Sequence, residues 1–167
     1  AYGQADNAPT VVDIPHNWDD YYGYRQLTHG NLHGTAMYEK IFTLDNSQFP
    51  ISDFSFGKRY FLRFEGVGTY ATVTLNGKDF GRHPVGRTTL TLDVTEALKP
   101  GENRLVVKAE HPEMIADMPW VCGGCSSEWG FSEGSQPLGI FRPVVLEATD
   151  EIRIEPFGVH IWNDDKE

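Results

Sequence analysis

The chain has 167 residues, with 24 Asp and Glu against 14 Lys and Arg, a formal charge of −10. That length suits one folded domain, which buries roughly 70% of its unfolded surface and needs no cross-link to fold. No basic stripe interrupts the acidic balance, which excludes nucleic acid and anionic membranes as expected partners, and no apolar run approaches the ~20 residues of a membrane-spanning helix.

Alternation with period two recurs along the chain, and helical periodicity does not. Met37 to Leu44 reads as a strand. Tyr60, Leu62 and Phe64 alternate with Phe61, Arg63 and Glu65, and Ala71, Val73 and Leu75 alternate with threonines. Asn76-Gly77 then predicts a two-residue hairpin turn, because both residue types tolerate positive φ. Leu90, Leu92 and Val94 form a further alternating run, followed by the one candidate helical turn, Thr95 to Leu98, with Thr95 as its cap and Pro100-Gly101 as its stop. Leu105, Val107 and Ala109 alternate with Arg104, Val106 and Lys108, and Ile140 to Leu146 reads as another strand. Many short strands with tight turns predict an all-β, antiparallel jelly-roll β-sandwich over residues 1–150. Glu151 to Ile154 is strand-like, Pro156 breaks it, and Val159 to Trp162 begins a new apolar run. That run fits either the first strand of a following domain or a strand folded back onto this one.

Three local motifs match catalytic or binding patterns without their structural context. Gly130-Phe-Ser132-Glu-Gly134 has the spacing of a nucleophile elbow, but Ser135 to Gly139 cannot start the helix that lifts such a serine above a sheet. Cys122 and Cys125 form a C-x-x-C with no second pair, and His111 is isolated from them, so zinc and thioredoxin-like chemistry both lack partners. Gly66-Val-Gly68 runs into a strand rather than the helix N-terminus that a dinucleotide phosphate needs.

The segment from His111 to Gly139 is the long connection without alternation, and such loops are commonly functional. It carries Asp117, Trp120, Glu128, Trp129, Phe131 and Glu133. Aromatic faces stack on the apolar faces of pyranoses while carboxylates accept their hydroxyl hydrogens, so this composition suits a sugar site; the alternative for Trp120 and Trp129 is that they anchor the segment to the sandwich. A glycosidase pair would need two carboxylates held roughly 5 to 10 Å apart, for which a long loop is a poor platform.

Five segments, in order over residues 11 to 148, resemble the N-terminal sugar-binding domain of family 2 glycoside hydrolases, the β-galactosidase, β-glucuronidase and β-mannosidase group. They are Asp13-Ile-Pro-His-Asn-Trp18; Tyr38-Glu-Lys-Ile-Phe42; Phe64-Glu-Gly-Val67 with Val73-Thr-Leu-Asn-Gly77; Asp93-Val-Thr95 through Pro100 to Val107; and Leu138-Gly-Ile-Phe-Arg142 with Val144 to Leu146. The resemblance implies a galactose-binding-like jelly roll followed by an immunoglobulin-like domain and a (β/α)8 barrel holding both catalytic glutamates. The expectations that follow are no catalytic residue in this chain, no cofactor and no metal, and carbohydrate and the two further domains as partners. Residues 151–167 would be the linker and first strand of the immunoglobulin-like domain. Glu113, Asp117, Trp120, Glu128 and Trp129 are the substrate-binding candidates, lying in the connection that in some relatives reaches the barrel. The alternative is an autonomous carbohydrate-binding module. The resemblance is compatible with periplasm or cell exterior and does not choose a compartment.

Overall fold

A computed structural model describes residues 9–18, 32–44, 58–86, 88–112 and 137–163. Among these residues seven strands are formed: β1 (Gly34–Leu44), β2 (Lys58–Phe64), β3 (Tyr70–Leu75), β4 (Lys78–Pro84), β5 (Leu90–Asp93), β6 (Gly101–His111) and β7 (Val144–Asp150). They build a four-stranded sheet in the order β1-β6-β3-β4 and a three-stranded sheet in the order β5-β2-β7, with every pairing antiparallel.

Period-two alternation supplies the core between the sheets. Tyr60, Leu62 and Phe64 from β2 meet Ala71, Val73 and Leu75 from β3 and Leu105, Val107 and Ala109 from β6. Val94 and Leu98 fill the same core from the connection after β5. Burial of a side chain of this size contributes about 1.5–3 kcal/mol, so this cluster is the main favourable term. Tyr38, Val107 and Val73 stand in one row across β1, β6 and β3, and Ala36, Ala109 and Ala71 in the next. The alanine row lies beside the end of the sandwich where the chain segments converge.

The Asn76-Gly77 turn forms as expected, with φ of 52° and 86°. The Asn76 side chain donates to the Ala97 carbonyl at 2.8 Å and to Asn103 Oδ1 at 2.7 Å, and accepts from the Arg104 amide at 2.9 Å. Fully buried Asn103 completes the network, accepting from the Lys99 amide at 3.1 Å and donating to the Lys99 and Gly101 carbonyls.

Three expectations are corrected. Thr95 to Leu98 forms the single turn expected, closed by the Ala97 and Leu98 amides on the Val94 carbonyl, but Asp93 rather than Thr95 caps it, its Oδ1 accepting from the Thr95 amide and hydroxyl. Thr95 Oγ1 instead accepts the Tyr60 amide at 2.9 Å, tying the turn to β2. The last strand starts at Val144, not Ile140, because Gly139 has φ of 135° and Pro143 has no N–H to give to a ladder. Glu151 to Ile154 forms no strand: β7 stops at Asp150 and the chain bends at once. Of the two readings of Val159 to Trp162, a strand folded back onto the sandwich is not formed, and Val159, Ile161 and Trp162 stay largely exposed.

Candidate functional site

Segments from four parts of the chain meet at one end of the sandwich. The Pro-His-Asn-Trp stretch is held by two backbone bonds: the His16 amide donates to the Ile140 carbonyl at 2.7 Å and the Trp18 amide to the Leu138 carbonyl at 2.8 Å. The Leu138 amide donates in return to Asn17 Oδ1 at 3.0 Å, across 121 positions of sequence. Tyr38 projects from β1 between them. Its hydroxyl accepts from the Ile140 amide at 3.3 Å and lies 2.9 Å from His16 Nδ1. His16 Nδ1 and the Tyr38 hydroxyl share one hydrogen bond, and the Ile140 amide occupies another site on the phenol oxygen. The rings of His16, Trp18 and Tyr38 meet edge-on, with centroids 5.0 to 6.1 Å apart.

Burial pushes the Tyr38 phenol above its ordinary value of 10.0, against smaller opposing effects of the Ile140 amide and the Trp18 indole. The indole Nε1 itself is buried and makes no bond of good geometry, so its effect on the phenol is weak. The phenol therefore stays a hydrogen-bond donor throughout the physiological range. Gly139 is required here, because a Cβ on it would overlap the Tyr38 hydroxyl and come within 2.8 Å of the His16 carbonyl oxygen.

The same end roots the long connection. The Gly68 amide donates to the Gly139 carbonyl at 3.0 Å, and the next amide, Thr69, donates to the Glu110 carbonyl at 2.7 Å. A cis peptide joins Gly68 to Thr69. Consecutive amides thus hold the two flanks of residues 113–136, and a Cβ on Gly68 would overlap the Pro137 carbonyl oxygen. The Gly66 to Gly68 stretch serves close packing rather than phosphate binding. His111 is fully buried, its Nδ1 2.8 Å from the Leu32 carbonyl and its ring 4.9 Å from that of His33.

Pro15, His16, Asn17, Pro137 and Phe141 line an open depression of about 230 Å³ beside this root. Enclosed sites for drug-sized ligands run roughly 300 to 1,000 Å³, so an open depression of this size suits the edge of a ligand or a neighbouring surface. On β2, Arg63 pairs with Glu65 and with Glu147, the latter at 2.5 Å. The described residues of this end supply shape, an aromatic junction and a rigid root.

The substrate-binding candidates Glu113, Asp117, Trp120, Glu128 and Trp129 lie outside the described residues, as do Cys122, Cys125 and Ser132. Sequence reasoning singled out the Pro-His-Asn-Trp and Leu-Gly-Ile-Phe-Arg stretches separately and missed that Tyr38 joins them. The available signal was Gly139 itself, a glycine between two large apolar residues just before a strand.

Residues 19–118 match the family model described as glycosyl hydrolase 2 galactose-binding domain-like. A β-glucuronidase of Bacteroides fragilis is 33% identical over 147 residues, which cover 87% of this chain and 18% of that protein. A β-galactosidase of Bacteroides ovatus is 28% identical over 166 residues, 95% of this chain and 17% of that one. The crystal structure of a putative β-galactosidase from Bacteroides fragilis superposes with a TM-score of 0.62 at 30% identity, over 83% of this chain and 18% of that chain. The chain thus spans under a fifth of the length of these relatives, and its two-sheet sandwich is the galactose-binding-like fold. It belongs to the glycosyl hydrolase 2 galactose-binding domain-like family.

Proposed function

We propose that this chain is the non-catalytic, N-terminal sugar-binding-type domain of a multidomain β-glycosidase that hydrolyses O-glycosidic bonds in carbohydrate metabolism. In this reading the acid and the nucleophile sit on a separate (β/α)8 domain, reached through an immunoglobulin-like domain that residues 151–167 lead into. The sandwich supports that active site and lends residues 113–136 to its sugar pocket. The observation that carries the reading is the root: amides 68 and 69 clasp both flanks of the connection next to the His16–Tyr38–Ile140 junction. Two fixed flanks limit where the intervening residues can go, which lowers the cost of presenting them to a neighbour. The match to β-glucuronidases and β-galactosidases five times longer supports a larger parent enzyme.

The test uses the purified 167-residue chain with chromogenic β-glucuronide and β-galactoside. No turnover is expected, and hydrolysis that survives repurification would overturn the assignment. Titration with the corresponding oligosaccharides should leave tryptophan fluorescence flat. A saturable response would make the chain a carbohydrate-binding module in its own right.

A further inference from the structure

Phe61 stands out on its strand. It shares the outward face of β2 with Arg59 and Arg63 and lies outside the core cluster, yet it is only 3% exposed. Its cover comes from beyond β7. The Arg153 guanidinium sits 3.2 Å from the Phe61 ring centroid, with the Arg153 side chain 9% exposed, and Arg59 lies 4.9 Å from the same ring. Each cation has its own anion: Arg153 pairs with Glu155, and Arg59 with Asp93 at 2.7 Å. The hydrogen bond it donates to Asp93 is the main reason the Arg59 guanidinium is held above its ordinary value, with Glu155 and Glu151 adding to it from further away. A guanidinium stacked on a ring and neutralised at one edge is a specific contact that an ammonium cannot reproduce.

The chain then turns sharply. The Gly158 amide donates to the Glu155 carbonyl at 2.8 Å, and Phe157, the third residue of this turn, has φ of 60°. That position favours glycine or asparagine, and a bulky residue there is uncommon. Phe157 is 81% exposed, so no contact within the described chain compensates for its strained backbone. Such outliers persist where the side chain serves a purpose. Ile152, Ile154, Val159, Ile161 and Trp162 are exposed on the same short segment. Apolar side chains gathered in this way mark a surface that meets another surface.

We propose that Phe61 and Arg153 form a latch that fixes the direction in which the chain leaves the sandwich, presenting Phe157 and its apolar neighbours to the next folded unit of the same polypeptide. The occupant rests on the multidomain reading above; the latch does not. A second copy of this chain is the poorer occupant, because two surfaces of formal charge −10 repel.

The test leaves the segment itself unaltered. Glutamyl endopeptidase cleavage after Glu151 and Glu155 is followed by mass spectrometry in the 167-residue chain. Phe61→Leu should be cleaved about fivefold faster or more than wild type, in line with the loss of one desolvated cation–π contact, while Phe61→Tyr keeps the wild-type rate. Equal rates for wild type and a folded Phe61→Leu would overturn the latch. Should Phe61→Leu fail to fold, Arg153→Lys read by chymotryptic cleavage after Phe157 makes the same distinction. For the occupant, the chain should sediment as a monomer, and Phe157 should be cut at least about tenfold more slowly in the native full-length polypeptide. A dimer dispersed by Phe157→Ser would give the surface to a second copy and overturn that half. A native polypeptide without a further folded unit removes the multidomain reading, whereas the Phe61 variants decide the latch by themselves.

Discussion

At one end of β3, Asn76 and Gly77 turn the chain within two residues, and Asn76 and Asn103 bind the turn to the carbonyls and amides of neighbours less than thirty positions away. At the other end, Gly68 and Thr69 hold Gly139 and Glu110, while residues 16 to 18 and Tyr38 bond to Leu138 and Ile140. The first end is closed by side-chain amides saturated on every side. The second is assembled mostly from backbone bonds, with Asn17 and Tyr38 between them, and it is the end from which residues 113–136 depart. A short local network makes a stable cap, while a junction of distant segments makes a platform whose loops can differ without disturbing the sheet.

The sharpest way to break the comparison is Gly139→Ala. The added Cβ would overlap the Tyr38 hydroxyl, and alanine is strained at φ of 135°, so a loss of about 3 kcal/mol or more is expected in urea unfolding. A loss below about 1 kcal/mol would mean that the junction yields easily and that the two ends differ less than their bonding suggests. Asn103→Ala should cost about 2–3 kcal/mol at the opposite end, because it strands the Lys99 amide and the Asn76 side chain. Tyr38→Phe comes next, at about 1–2 kcal/mol, since His16 Nδ1 and the Ile140 amide lose a shared partner. Proton exchange of the indole and amides around Trp18 and Ile140 should rise in that variant while the Asn76 turn stays protected.

The smallest effect is a pH dependence confined to the closed end. Burial acts to raise the Asp93 carboxyl, but its hydrogen bonds from Thr95 and Arg59 outweigh this and hold it below its ordinary 3.8. A carboxyl depressed in the folded state stabilises fully above its unfolded value and loses that contribution as pH falls through the folded one. Wild type should therefore exceed Asp93→Asn in melting temperature at neutral pH, with the gap closing below pH 3.8. The carboxylate is partly exposed, so the gap should be small and shrink with added salt. A gap unchanged in acid would assign the effect to shape rather than charge.

Strands and the tight turn were legible because their signals are local: alternation at period two between the sheets, and Asn-Gly where two residues must take positive φ. The start of β7 was not, because Gly139 and Pro143 interrupt a run whose side chains look continuous. Thr95 looked like a cap and proved to be a tether to β2, a contact with Tyr60 that no neighbouring residue announces. Alternation gave no hint that Phe61 would be covered, because its cover is an arginine on a segment that forms no strand. The junction of His16, Tyr38 and Ile140 depends on closing more than a hundred residues of chain, and composition carries no trace of that. The family resemblance marked the participating stretches, and only the fold showed them touching.

The clasp at Gly68 and Thr69 has a practical consequence for anyone rebuilding this scaffold. Because backbone groups hold its flanks, whatever is spliced between Pro112 and Pro137 inherits two fixed anchor points. Each doubling of such an insert adds only about 0.6 kcal/mol of closure entropy, so segments of quite different length should be interchangeable there. The sandwich then behaves as a socket, and a library of grafts could be compared without a single change to the sheets.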